Sequence, residues 1–169
     1  MVNEPADKTK WHEPTQVRLG GMNEVPRLPL VFGALGLLPF VFLSGGTLFA
    51  EDPFRKSFVL ALATYGAIIL SFLGGIQWGM AIQDGSAPKP GPRIFLLSVL
   101  PSLGGWAALL LLPRHTGLLV LAAGYLLVLA TDIRLSRQGH APQWYPRFRW
   151  PLTLVAALCL AIGPLWSGL

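Results

Sequence analysis

Charge is what this 169-residue chain has least of: only 12% of its residues are Asp, Glu, Lys or Arg, about half the share of a soluble globular domain. Cysteine is confined to Cys159, which excludes an intramolecular disulfide and a thiolate zinc site. Lying in the last apolar run, Cys159 reads as a small hydrophobe. The sequence has no HExxH or similar His–carboxylate spacing and no CxxCH, so zinc chemistry and covalent haem have no motif to rest on. His12, His115 and His140 all fall in the tail or in loops. No metal and no cofactor is expected. Basic residues outnumber acidic ones, thirteen to eight, yet no basic cluster interleaved with aromatics lies in a soluble segment. Nucleic acid is therefore not an expected partner.

What remains is apolar: 53% of the residues are hydrophobic, gathered into runs long enough to cross a bilayer, for which about 20 residues suffice. Five runs emerge, at 28–49, 57–82, 94–112, 116–133 and 150–166. The expected fold class is an all-α membrane protein, a bundle of about five transmembrane helices. Residues 1–26 form a polar N-terminal tail and 27–169 the transmembrane domain. The last two runs are short, which leaves a hairpin dipping into one leaflet as an alternative for them. Pro39, Pro101 and Pro164 fall inside runs, where each removes a backbone hydrogen bond and kinks its helix. The connector around 87–92 is stiff and rich in proline. No internal repeat supports an inverted-repeat transporter core.

With five spans, ten Lys and Arg residues share the side of the tail and the second and fourth inter-span loops. Only Arg55, Lys56 and Arg114 lie opposite. This positive-inside bias puts the N-terminus in the cytoplasm (or on the matrix side in an organelle) and the C-terminus on the opposite face. The acidic residues of the tail and its want of an apolar core argue against a cleaved signal or transit peptide. The expected location is the bacterial inner membrane, with the mitochondrial inner membrane as the alternative. Trp150 and Trp166, about 24 Å apart along a helix, suit the two headgroup layers.

Three groups of residues carry what chemistry there is. Ala63, Ala67, Ser71, Gly75 and Gly79 recur every four residues in the second run, a small-residue stripe that lets helix backbones approach in lipid. It reads as a seam inside the bundle, an interface to another subunit, or a glycine-lined substrate path. Tyr65, Gln77, Ser102 and Trp106 are the candidates for an intramembrane polar site. None of these is ionisable near neutral pH, and no charged residue or His falls at the middle of a run, which weighs against a proton relay or an acid–base enzyme. The stretch 131–150 joins Asp132 to Arg134, Arg137, His140, Arg147 and Arg149 beside Trp144 and Tyr145. It reads as a loop contacting anionic headgroups or a partner. Asp132 and Arg134 are too close in sequence to face each other on a helix, so Asp132 is expected to pair with another arginine of this stretch.

The segment ILSFLGGIQWG at 69–79 resembles the hallmark of an integral membrane family of unknown function, found in proteobacteria and mitochondria, that includes transmembrane protein 69. LLPF at 37–40, PSLGGW at 101–106 and the stretch from Thr131 and Asp132 through Trp144 and Tyr145 to Arg149 are similar to it too. The resemblance implies a five-helix inner-membrane fold and no substrate. Where that family often carries His, this chain has Gln77, so no role needing a titratable or metal-binding group there carries over. The reading that follows is a non-enzymatic inner-membrane protein. It would serve as an accessory or assembly subunit, contacting membrane lipids and membrane-protein partner subunits. The alternative is a small transporter or lipid-handling protein with a cavity lined by Tyr65, Ser71, Gln77, Ser102 and Trp106. A membrane enzyme would need Asp132, His140 and the arginines to meet in one cleft.

Overall fold

A computed structural model describes residues 25–82 and 91–166. Residues 1–24 of the expected tail, residues 83–90, which include most of the connector, and the Trp166 side chain lie outside the described residues. Five helices follow in order: α1 (Arg27–Phe49), α2 (Phe54–Ile82), α3 (Pro92–Leu111), α4 (Arg114–Arg137) and α5 (Trp144–Trp166). Among the described residues there is no strand. The helices α1 to α4 are long and apolar enough to cross a membrane; α5 matches α1 in length, at 23 residues.

Proline sets several of the starts. Pro26 and Pro113 stand immediately before α1 and α4, and Pro92 opens α3. A missing N–H costs nothing there, because the first helical amides have no intrahelical partner. Pro39 and Pro101 sit inside α1 and α3, as expected. The end of α4 is closed by Gly139 at φ +80°. Its amide donates to the Ser136 carbonyl, and that of His140 reaches back to Leu135 at 2.9 Å. This pairing of the last carbonyls needs a left-handed residue, which glycine supplies without strain.

That turn corrects the reading of 131–150 as a loop. Residues up to Arg137 belong to α4 and those from Trp144 onward to α5, so most of the charged stretch is helical and folds back on itself. The sequence reading ended the fourth run at Ile133, before Arg134, and began the fifth at Trp150, after Arg149, whereas the helices continue through these charged residues.

The helices close in a ring in chain order, α1 against α5 as well as α2, with α2 also reaching α4 and α5 across the middle. Leu62, Leu118, Leu121, Tyr125 and Leu160 are fully buried there, and Phe40 sets its ring edge-on against Tyr65 and Tyr125. Outside, large apolar side chains such as Phe32, Phe42, Leu97, Trp106 and Leu127 are exposed over the whole circumference. An apolar surface of that extent is stable only against lipid.

Close approach rests on particular glycines. A Cβ at Gly74 would run into the Ser98 carbonyl oxygen of α3, and one at Gly117 would lie 2.7 Å from the Ala108 carbonyl oxygen. The stripe expected on α2 is only half used. Ala63 and Ala67 are buried, with Gly105 of α3 packed on Ala67, and Ser71 meets Ser102 hydroxyl to hydroxyl at 2.8 Å. Gly75 and Gly79 meet nothing within 4 Å among the described residues. A strict four-residue repeat drifts around a 3.6-residue helix, so by Gly75 the seam has passed to Gly74.

Candidate functional site

Asp132 and Arg149 carry the chemistry. Both are buried, at 1% and 6% relative exposure, and the Arg149 Nε donates to Asp132 Oδ2 at 3.2 Å. The Gln77 amide donates to the other carboxylate oxygen, Oδ1, at 2.8 Å, and also to the Thr131 hydroxyl. Thr131 in turn donates to the Val128 carbonyl at 2.7 Å. Three helices thus tie one carboxylate. Gln77, Asp132 and Arg149 each stand five residues in from one helix end, at Ile82, Arg137 and Trp144, or about 7.5 Å along the axis at 1.5 Å per residue. A buried charge persists only when paired and hydrogen-bonded, and this one is both. The sequence expectation that Asp132 pairs with an arginine of its own stretch holds. Both charges lie near helix ends rather than at the middle of a span, yet both are buried within the bundle.

The pairing leaves a remainder. Arg149 spends its Nε on Asp132, while its Nη2 is buried with no hydrogen-bond partner among the described residues, as is the Thr153 hydroxyl. The two residues are four apart, so they stack on one face of α5. Both line a cavity of about 470 Å³ between α1, α2, α4 and α5. The rest of its wall is apolar or aromatic: Gly36 and Phe40 from α1, Phe72 and Ile76 from α2, Tyr125 from α4, Phe148 from α5. Near the opposite end α1 and α2 are in contact, with Phe58 against Gly46 and Phe42, and the Tyr65 hydroxyl donates to the Gly36 carbonyl at 3.0 Å. The cavity occupies the space between them on the other side of Gly36. Phe32 and Phe72, both largely exposed, stand at its mouth on the lipid-facing surface. A roomy apolar pocket with a few converging polar groups has the character of a ligand site.

The residues singled out in the sequence are distributed otherwise than expected. Tyr65, Gln77, Ser102 and Trp106 do not converge: Tyr65 bonds α1, Gln77 bonds α4, Ser102 bonds Ser71, and Trp106 lies on the outer surface. The cavity beside Arg149 is lined by none of Tyr65, Ser71, Gln77, Ser102 and Trp106, the residues expected to line one. The charged stretch splits in two. Asp132, Tyr145 and Arg149 turn inward, Arg134, Arg137 and Arg147 are exposed at the rim, and His140 and Trp144 are half-buried. Arg93, Arg134 and His140 border a second recess at the rim, whose lining also includes Thr131 and Gln77, the residue that donates to Asp132. Among the described residues no group of His, Cys, Asp and Glu is placed to hold a metal.

Sequence reasoning missed Arg149 and Thr153 as inward-facing, and with them the pocket. The signal was present: Tyr145, Arg149, Thr153, Ala156 and Leu160, all buried, follow the three-to-four-residue period of one helix face.

Comparison with known proteins agrees with this architecture. "Transmembrane protein 69" of Xenopus tropicalis is 34% identical over 158 residues, covering 91% of this chain and 61% of its own length. The protein of the same name from Mus musculus is 32% identical over 132 residues, covering 73% of this chain and 53% of its own. The chain therefore spans between half and two thirds of the length of these relatives. No solved structure matches it. Its apolar helices, its lipid-compatible surface and these relatives make it an integral membrane protein. A match over residues 25–165 places the chain in the family described as protein of unknown function (DUF3429).

Proposed function

We propose that this is a non-enzymatic five-helix inner-membrane protein that handles lipid, holding one amphiphile of the bilayer in the pocket between α1, α2 and α5. The observation that carries the proposal is the pairing of an apolar cavity open towards lipid with two buried donors, Arg149 Nη2 and Thr153 Oγ1, that lack a partner. Leaving such donors unsatisfied costs about 1–3 kcal/mol each. A ligand acceptor that meets them recovers that cost, so the site is suited to an amphiphile whose oxygen-bearing head lies at the depth of Arg149.

We place all five helices across the bilayer. The end carrying Arg27, Arg93, Arg134, Arg137 and Arg147 faces the cytoplasm, or the matrix if the membrane is mitochondrial. Support comes from the ten-to-three partition of Lys and Arg and from the recesses that gather Arg93 with Arg134 at one end and Arg55, Lys56 and Arg114 at the other. In this placement the pocket lies in the cytoplasmic leaflet.

A second reading, an accessory or assembly subunit of a larger membrane complex, is favoured by the open face at Gly75 and Gly79. Glycine there costs helix stability and earns nothing within the bundle. One experiment addresses both readings: native mass spectrometry of the protein released from mild detergent. The lipid-handling reading predicts one retained amphiphile, lost in Gly36→Leu, whose new side chain enters the pocket from a position where a Cβ meets nothing within 4 Å. A bare protein in both cases contradicts the lipid-handling reading, and a stoichiometric protein partner without retained lipid argues for the subunit reading.

A further inference from the structure

The charge balance around Arg149 narrows the chemistry of the head group. Asp132 receives hydrogen bonds on both carboxylate oxygens, Oδ1 from Gln77 and Oδ2 from Arg149. The ion pair is therefore closed and neutral, and the donors left over at Arg149 Nη2 and Thr153 Oγ1 belong to a site with no surplus positive charge. The other described cations at this end, Arg27, Arg93, Arg134, Arg137 and Arg147, are exposed and outside the lining of this cavity. A phosphate or carboxylate drawn into it brings an unpaired negative charge into an apolar surround, which is costly. A neutral carbonyl oxygen accepts from both donors and leaves the charge balance untouched.

Resting on the amphiphile-binding reading above, we infer that the pocket selects a neutral amphiphile that presents a carbonyl oxygen to Arg149 and Thr153, with its apolar body against Phe40, Phe72, Ile76 and Phe148. Two bilayer sources supply that chemistry, the ring carbonyl of an isoprenoid quinone and the ester carbonyl of a neutral glyceride. The aromatic wall of Phe40, Tyr125, Tyr145 and Phe148 accommodates the flat ring of the first; the depth of about 7.5 Å below the helix ends suits the second.

The test is a thermal-shift titration of the purified full chain in detergent with four probes. Two are neutral carbonyl compounds, a decyl-substituted benzoquinone and dioctanoylglycerol; two are anionic, oleate and dioleoyl phosphatidic acid. At least one carbonyl probe is expected to stabilise the protein saturably, and the two differ in which source they identify. Thr153→Val, which keeps the shape and removes one donor, is expected to weaken that binding about fivefold, and Gly36→Leu to abolish it without lowering the unliganded melting temperature. The anionic probes are expected to bind at least tenfold more weakly. If they bind as tightly as the neutral ones, and Gly36→Leu removes that binding, the head-group inference is wrong while the pocket remains an amphiphile site. If no probe binds in a way that Gly36→Leu removes, the inference and the reading beneath it both fall.

Discussion

Asp132→Ala is expected to destabilise the protein by about 3–5 kcal/mol, the loss that follows when one partner of a buried ion pair is removed and the other is left charged. In this chain the charge left behind is the guanidinium of Arg149, at 6% exposure, with the Gln77 amide deprived of the carboxylate oxygen it donates to. The double variant Asp132→Leu/Arg149→Met removes both charges and retains apolar bulk. It is expected to recover most of the loss, because two desolvated charges and their attraction disappear together. Melting in detergent, or titration with a denaturing detergent, compares the three proteins. A single variant as stable as wild type would mean that Arg149 reaches water. A double variant worse than the single would mean that the network holds the helices through more than charge.

The second large effect is expected at Gly74. Its alanine variant drives a Cβ into the Ser98 carbonyl oxygen on α3, beside the ring of Pro101, and backbone cannot rotate away as a side chain does. The α2–α3 seam has to open, at a cost at the upper end of the 1–3 kcal/mol usual for overpacking. Gly75→Ala, one residue along, meets nothing within 4 Å and is expected to be neutral or to stabilise by up to about 1 kcal/mol through helix propensity. Measured on the isolated protein, Gly74→Ala should lower stability and Gly75→Ala should not. If Gly75→Ala is harmless in the isolated protein but disrupts a complex in native membranes, its open face is a partner surface.

These two positions also show how far the sequence could be read. Long apolar runs punctuated by Pro26, Pro92 and Pro113 locate the helices, since bilayer thickness and the missing proline N–H leave little choice. The small-residue pattern lies on α2, the helix at the middle of the bundle, and its Ala67 and Ser71 meet α3. The stripe ran on to Gly75 and Gly79 because a count of four was extended further than a 3.6-residue helix permits. The site was hidden for a different reason. Charged residues were treated as the ends of spans, which puts Asp132 at the very end of the fourth run and Arg149 just before the fifth, both read as part of a surface loop. Their registers say otherwise. Tyr125, Val128, Asp132 and Leu135 lie along one buried face of α4, and Tyr145, Arg149, Thr153 and Ala156 along one of α5. What no single-helix pattern contains is the partner: that Arg149 meets Asp132 depends on the turn at Gly139, and that Gln77 joins them depends on how α2 crosses the bundle.

The central claim, that the cavity between α1, α2 and α5 holds a distinct bilayer amphiphile, is tested most directly by photocrosslinking in native membranes. A benzophenone amino acid is placed in turn at position 148, in the pocket wall, and at position 106, on the outer surface, and the adducts are identified by mass. The account predicts one discrete lipidic adduct at position 148, differing from the mixture of bulk phospholipids captured at position 106. The same phospholipid mixture at both positions would contradict it.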